Sequence, residues 1–151
     1  MSATHRLGAV LLGCVLAAAL VGHGRDDARA HGSRQLDGAW TAVSAERDGK
    51  PADELRGHRL TFAGDTFVIR RADGTVLYRG TYRVDPAKKP AHIDFRHTEG
   101  QLRGKTWLGI YVLDGASLRI TDNAVDMSKP RPSSLAAGAD SGYVAFVFKR
   151  A

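Results

Sequence analysis

The densest group of side chains with chemical potential is His92, Asp94 and His97, two imidazoles and a carboxylate within one short stretch. Such donors suit zinc or a related ion. On a strand, however, alternate side chains point to opposite faces, so His92 and Asp94 share the face opposite Ile93 and Phe95, while His97 has the other parity. The set is expected to split across two faces as solvated polarity, with no metal and no cofactor assigned. Asp122, Asn123 and Asp126 offer oxygen ligands but lack the spacing and glycine of a calcium loop, and are expected to be turn and loop polarity. Ser133, Ser134 and Ser141 have no G-x-S-x-G context, and the glycines fall singly at turns rather than in a phosphate-cradling loop. With no recognisable nucleophile, base or metal set, no catalytic residue is assigned and the chain is not expected to be an enzyme. Tyr78 and Tyr82 remain as candidates for touching a ligand, although tyrosines at this spacing are more often core residues with their hydroxyls at the rim.

These residues are carried on short strands separated by turn residues, with period-two alternation and almost no helical period. Strands are expected over 40–46, 58–63, 66–71, 76–84, 92–97, 105–113, 117–122 and 143–150. Asp48-Gly49, Gly64-Asp65, Asp73-Gly74, Asp85-Pro86 and Asp114-Gly115 punctuate them. The segment 51–56 is the only stretch expected to make a helical turn, with Pro51 near its start and acids early. The fold class is therefore all-β. Eight strands is the number at which a sheet closes around side chains or one small ligand, so an antiparallel meander barrel of about eight strands is expected; a sandwich or half-barrel is the alternative.

Alternation identifies the inward row. Leu60 and Phe62, Phe67 and Ile69, Ile93 and Phe95, and Leu118 and Ile120 share one face, with Arg59, Arg70, Asp94 or Arg119 on the other. Val76, Tyr78, Tyr82 and Val84 oppose Arg79 and Arg83, and Gly80 stands in the apolar row where a strand bends or a neighbour comes close. The interior is expected to be apolar and the outside basic.

The first thirty residues follow the plan of a secretory signal: His5 and Arg6, an apolar run Leu7 to Gly22, then Ala28-Arg29-Ala30 as a small-x-small cleavage site. The run is marginal for a bilayer, which needs roughly 20 apolar residues. This divides the chain into a signal peptide (1–30), a short linker (31–35) and one barrel domain (36–151), which places the mature protein outside the cytoplasm, periplasmic or extracellular. Leu11-Leu12-Gly13-Cys14 is the competing signal, a lipobox that would anchor the protein through an acylated Cys14. The apolar run continues past Cys14 to Gly22 where a lipoprotein has a polar tether, so secretion is preferred. Cys14 is the single cysteine, and a mature chain without it has no disulfide and no thiol chemistry.

The formal charge is +6. Lys and Arg recur singly between apolar residues, without a basic helix or an RNA-binding aromatic motif, which disfavours nucleic acid as a partner. No transmembrane segment is expected in the mature chain.

Gly38-Ala39-Trp40 at the head of the first strand, with Lys149-Arg150 at the end of the last, resembles lipocalins, in which a basic side chain from the last strand packs over the tryptophan of a G-x-W and closes one end of the barrel. The resemblance implies that Trp40 and Arg150 form a structural latch. A wider resemblance, from Leu36 to Arg150, is to a family of small exported domains of unknown function, lipocalin-like and frequent in planctomycetes. It is carried by Leu36-Asp37-Gly38-Ala39-Trp40, Val43-Ser44-Ala45-Glu46, Asp48-Gly49-Lys50-Pro51 and Leu60-Thr61-Phe62. Further matches are Gly80-Thr81-Tyr82, Asp85-Pro86, Lys89-Pro90, Ile93-Asp94, Gly109-Ile110-Tyr111, Leu113-Asp114-Gly115 and Leu118-Arg119-Ile120. Many members carry a Cys where this chain has Thr121, and the family brings no catalytic residues.

The function expected from these features is non-catalytic: a module binding a small hydrophobic ligand inside the barrel or at its mouth, under the loop 123–141. The alternative is an envelope domain whose basic outer face meets an anionic partner; an enzyme of unknown type stands third.

Overall fold

The computed structural model describes residues 21–151, so His5, Arg6, Cys14 and most of the apolar run lie outside the described residues. Nine strands follow one helix in the order α1 (Val21–Leu36), β1 (Gly38–Arg47), β2 (Lys50–Pro51), β3 (Arg59–Ala63), β4 (Thr66–Arg70), β5 (Val76–Asp85), β6 (Ala91–His97), β7 (Thr106–Asp114), β8 (Ser117–Asp122) and β9 (Val144–Arg150). Single 3-10 turns occupy Asp53–Leu55 and Gly100–Leu102. Every adjacent pair is antiparallel, and β9 returns to pair with β1, closing eight strands into a barrel; β2 is a two-residue flap on β1. This is a lipocalin-like fold. The strands lie within a residue or two of their expected limits, because turn residues and alternation are local signals.

One difference is α1. Its sequence, VGHGRDDARAHGSRQL, has glycines and no apolar stripe of helical period, so nothing intrinsic marks it. Packing holds it: Leu36 is fully buried, Gly32 lies against Val84 and Pro86, and Arg29 is 3.7 Å from Asp85. Residues 31–35, expected as a linker, are its last turns.

Two bulges alter the inward row. Between Ala42 and Ser44 the register of β1 against β9 shifts, leaving exposed Val43 without a partner. An extra residue flips parity, so Trp40 and Ala42 are buried before it and Ala45 after it. In β5, Ile69 pairs with Tyr78 but Arg70 with Val76, making Leu77 the extra residue. Val76, expected inside, is consequently exposed, and Leu77 takes its place on the interior. At Gly80 a Cβ would collide with the Arg96 carbonyl and the Phe67 ring, so only glycine lets β5 lie this close to β6.

The remaining inward residues form one core that includes Leu60, Phe62, Phe67, Ile93, Phe95, Leu118 and Ile120. Most of the loop expected over the mouth lies elsewhere. Its stretch around Leu135 covers the outside of β8, where the outward-facing Thr121 hydroxyl donates to the Leu135 carbonyl at 2.6 Å and is buried with Ala137. Asn123 fixes the start of this loop: its Oδ1 accepts from the Leu108 N–H at 2.9 Å and its Nδ2 donates to the Lys129 carbonyl at 2.8 Å. No helix among the described residues is long and apolar enough to cross a membrane.

Candidate functional site

The two ends of the barrel are built differently. At one end, where β1 begins and β9 finishes, the Trp40 indole is wholly buried and donates from Nε1 to the Leu36 carbonyl at 2.8 Å. The Arg150 guanidinium lies 4.1 Å from the indole centroid and donates to the carbonyls of Asp37 at 2.8 Å and Gln35 at 3.0 Å. Trp40 and Arg150 are cross-strand partners, and the delocalised cation suits the indole face while its planar fork reaches two carbonyls. Gly38, at φ +116°, leaves room for this guanidinium: a Cβ there would be 3.2 Å from it.

Tyr82 belongs to this closed end. Its hydroxyl donates to the Ser33 carbonyl at 3.2 Å, its ring lies 4.5 Å from that of Phe62, and burial pushes its pKa up to about 12. It is not among the residues that line the cavity at the other end. Leu36, Trp40, Phe62 and Tyr82 thus fill this half.

The other end opens into a cavity of about 760 Å³, within the range of small-molecule sites. Leu60, Ile69, Tyr78, Trp107, Ile120 and Phe146 line it, with Phe95 and Phe148 as part of its wall. Tyr78, the other tyrosine candidate, is therefore on the cavity. Its mouth carries Arg47, Arg56, Arg59 and Arg71, with His58, Glu54 and Asp73. Arg47 and Glu54 neutralise each other across 2.6 Å. Burial and the Arg71 cation both hold His58 below its ordinary value. Of the long loop, Ala124 and Val125 reach the mouth.

An aromatic layer separates cavity from core. His97 packs edge-on against Phe67, Tyr78 and Trp107, with the Trp107 centroid 4.1 Å away. Both His97 nitrogens and Trp107 Nε1 are buried without a hydrogen-bond partner among the described residues. Burial alone holds His97 down at about 4, so it is a neutral ring at ordinary pH.

The three candidate metal ligands are not brought together. His97 faces in, whereas Asp94 faces out and pairs with Arg131 at 2.6 Å, and the same Arg131 nitrogen donates to the Gly109 carbonyl at 2.7 Å. His92 is cross-strand to Asp85 on that outer side, and burial and Arg131 lower its pKa. No group of three or more His, Cys, Asp or Glu among the described residues could hold a metal ion.

Asp122 was expected as turn polarity, and the structure corrects this. The last residue of β8 continues the inward row of Leu118 and Ile120, is 4 % exposed, and lines the cavity. Its Oδ1 accepts from the Ala124 N–H at 2.9 Å, and burial pushes its pKa up to about 7. The signal was present in the sequence, since Leu118, Ile120 and Asp122 keep the same parity. Asn123 is likewise fully buried, while Asp126 caps its own turn through the Ser128 N–H and hydroxyl.

Comparison with known proteins returns no match to this chain among family models, curated proteins or solved structures.

Proposed function

We propose that this protein is a non-catalytic binding module that receives a small apolar molecule through the open end of its barrel. The cavity of about 760 Å³ with its aromatic and aliphatic wall carries the reading. A solid interior would have removed the space a ligand needs, and covering these side chains with a ligand stabilises the complex by about 25 cal/mol per Å² of apolar surface withdrawn from water. The arginines at the mouth favour ligands with an anionic group on the solvent side.

The test is titration with 1-anilinonaphthalene-8-sulfonate, whose rings suit the wall and whose sulfonate suits the mouth. Saturable one-to-one fluorescence enhancement is expected, weakened at least tenfold in Ile69→Trp and in Leu77→Trp, each of which fills the cavity near its mouth. Enhancement that does not saturate, or that survives both variants unchanged, would overturn the reading.

We also propose that the chain is exported and cut after Ala30. That cut leaves the last turns of α1 in place: Gly32 against Pro86, the Ser33 carbonyl on Tyr82, the Gln35 carbonyl on Arg150 and the Leu36 carbonyl on Trp40. Intact mass of the protein recovered outside the cytoplasm should place His31 first; a diacylglyceryl mass on Cys14 would establish the lipoprotein instead. Membership of the family of small exported lipocalin-like domains is part of the same proposal and rests on the resemblance from Leu36 to Arg150 alone.

A second reading, docking of an anionic envelope polymer on the outer face, is favoured by one observation. Arg59 and Arg70 stand directly opposite each other on β3 and β4, an arrangement of like charges that disfavours the isolated sheet and that a bound anion relieves. Salt-sensitive retention on an acidic polysaccharide column, lost in Arg70→Gln, is its test.

A further inference from the structure

Behind its charged mouth, the cavity wall has polar groups only on Tyr78, Trp107 and Asp122, and Asp122 alone among these is acidic. Asp122 stands at the inner side of β8, next to Ile120 in the same row and opposite Gly109 on β7 and Val144 on β9. Gly109 makes room for it, since a Cβ there would be 3.1 Å from the Asp122 side chain. The carboxyl has one hydrogen bond, from the Ala124 N–H to Oδ1, and no ion pair among the described residues. Of the mouth cations, Arg71 follows β4, four strands from β8 in either direction round the closed ring, and Arg59 is on β3, three strands away; Arg47, two strands away across Val144, is paired with Glu54. Trp107 Nε1 and both His97 ring nitrogens, the other buried polar atoms nearby, are covered by protein.

A carboxyl has room for about four hydrogen bonds, and a buried one with unused capacity is expensive to cover with hydrocarbon. Covering it with a second carboxylate is worse, because like charges then share a desolvated site. A group that donates a hydrogen bond removes both penalties.

Resting on the reading that the cavity holds an apolar ligand, we propose that Asp122 is its specificity-determining residue and selects apolar molecules bearing a hydroxyl, which donates to the free side of the carboxyl. The ligand class is then an alcohol or phenol on an apolar body. The hydroxyl lies inside the barrel wall, and any anionic group of the same molecule lies across the mouth at the arginines.

Three probes with comparable ten-carbon bodies separate the possibilities: 1-decanol, which donates; methyl decanoate, neutral and without a donor; and decanoate, charged and without one. They are titrated calorimetrically at pH 8.5 into the wild-type chain, Asp122→Asn and Asp122→Leu, with thermal melting to establish that each variant is folded. Decanol is expected to bind the wild type about tenfold more tightly than the ester, the value of one net charge-assisted hydrogen bond. Asp122→Asn, which keeps an acceptor, retains part of that preference, and Asp122→Leu abolishes it by tightening the ester. Equal binding of alcohol and ester to the wild type, or an alcohol preference that persists in Asp122→Leu, overturns the assignment while leaving the cavity as a binding site. Absence of binding by all three probes overturns the ligand-holding reading and this inference with it.

Discussion

The closed and open halves of the barrel solve the same problem, an interior too wide for backbone alone to fill, in opposite ways. In the closed half every large side chain has a partner: Trp40 is stacked and hydrogen-bonded, Tyr82 meets a helix carbonyl, and Leu36 seals the end. In the open half the groups are less satisfied. Among the described residues, Asp122 has a carboxyl with unused capacity, and His97 and Trp107 have polar nitrogens without partners. Native interiors rarely leave buried polar groups this way. The fold satisfies its large side chains in one half, and the other retains space and unmet polarity, the conditions a binding site requires.

Removing the central piece of the closed half should have the largest effect. Trp40→Ala deletes a fully buried indole together with its hydrogen bond and the seat of Arg150, and is expected to cost about 5 kcal/mol in urea unfolding. A loss under 2 kcal/mol would show that the closed half is not where stability resides.

The open half should instead announce itself through pH. Burial holds Asp122 at about 7 against an ordinary 3.8, so the folded chain keeps a proton that the unfolded chain releases; stability falls as pH rises from 3.8 to 7 and is level above. Burial holds His97 at about 4 against 6.5, so the unfolded chain takes a proton that the folded chain refuses; stability falls as pH drops from 6.5 to 4. The two slopes oppose each other between pH 4 and 6.5. Asp122→Asn should raise stability at pH 8 relative to pH 4 by roughly 4 kcal/mol, and His97→Leu should raise it near pH 4 relative to pH 8 by roughly 3 kcal/mol. Unfolding curves of both variants across that range are the measurement, and parallel profiles would remove the contrast between the halves.

Smaller effects sharpen the comparison. Arg150→Met keeps apolar cover over the indole but loses the cation and two carbonyl contacts, and should cost about 2 kcal/mol. Phe146→Ala, a half-buried ring that already faces space, should cost only about 1 kcal/mol while increasing binding of bulkier probes.

Most of the fold was legible because its signals are local. Turn pairs such as Asp114-Gly115 and the parity of Leu60, Phe62, Phe67, Ile93 and Phe95 place strands and inward faces without knowledge of the whole. What was not legible depends on contacts made at a distance. The helix α1 has no amphipathic pattern and exists through docking on Val84 and Pro86. The bulges at Val43 and Leu77 are set by partner strands, so simple alternation misplaces Val76. Asp122 followed the right parity, but its type suggested a turn; only burial distinguishes an inward carboxylate at the end of a strand from a solvated one. Of the long loop expected over the mouth, Ala124 and Val125 do reach it, whereas the stretch around Leu135 and Ala137 covers the outside of β8.

Both ends of the described polypeptide leave the barrel from its closed half, α1 across Asp85 and Trp40 and β9 over the same indole. Among the described residues, neither end of the polypeptide runs to the mouth. A carrier domain, an affinity handle or a surface attachment at either terminus will point the opening outward, away from its point of fixation. Tethering through either terminus thus requires no change to the rim, and a fusion at either end should leave binding of 1-anilinonaphthalene-8-sulfonate, if the proposed site receives it, as it is in the free protein.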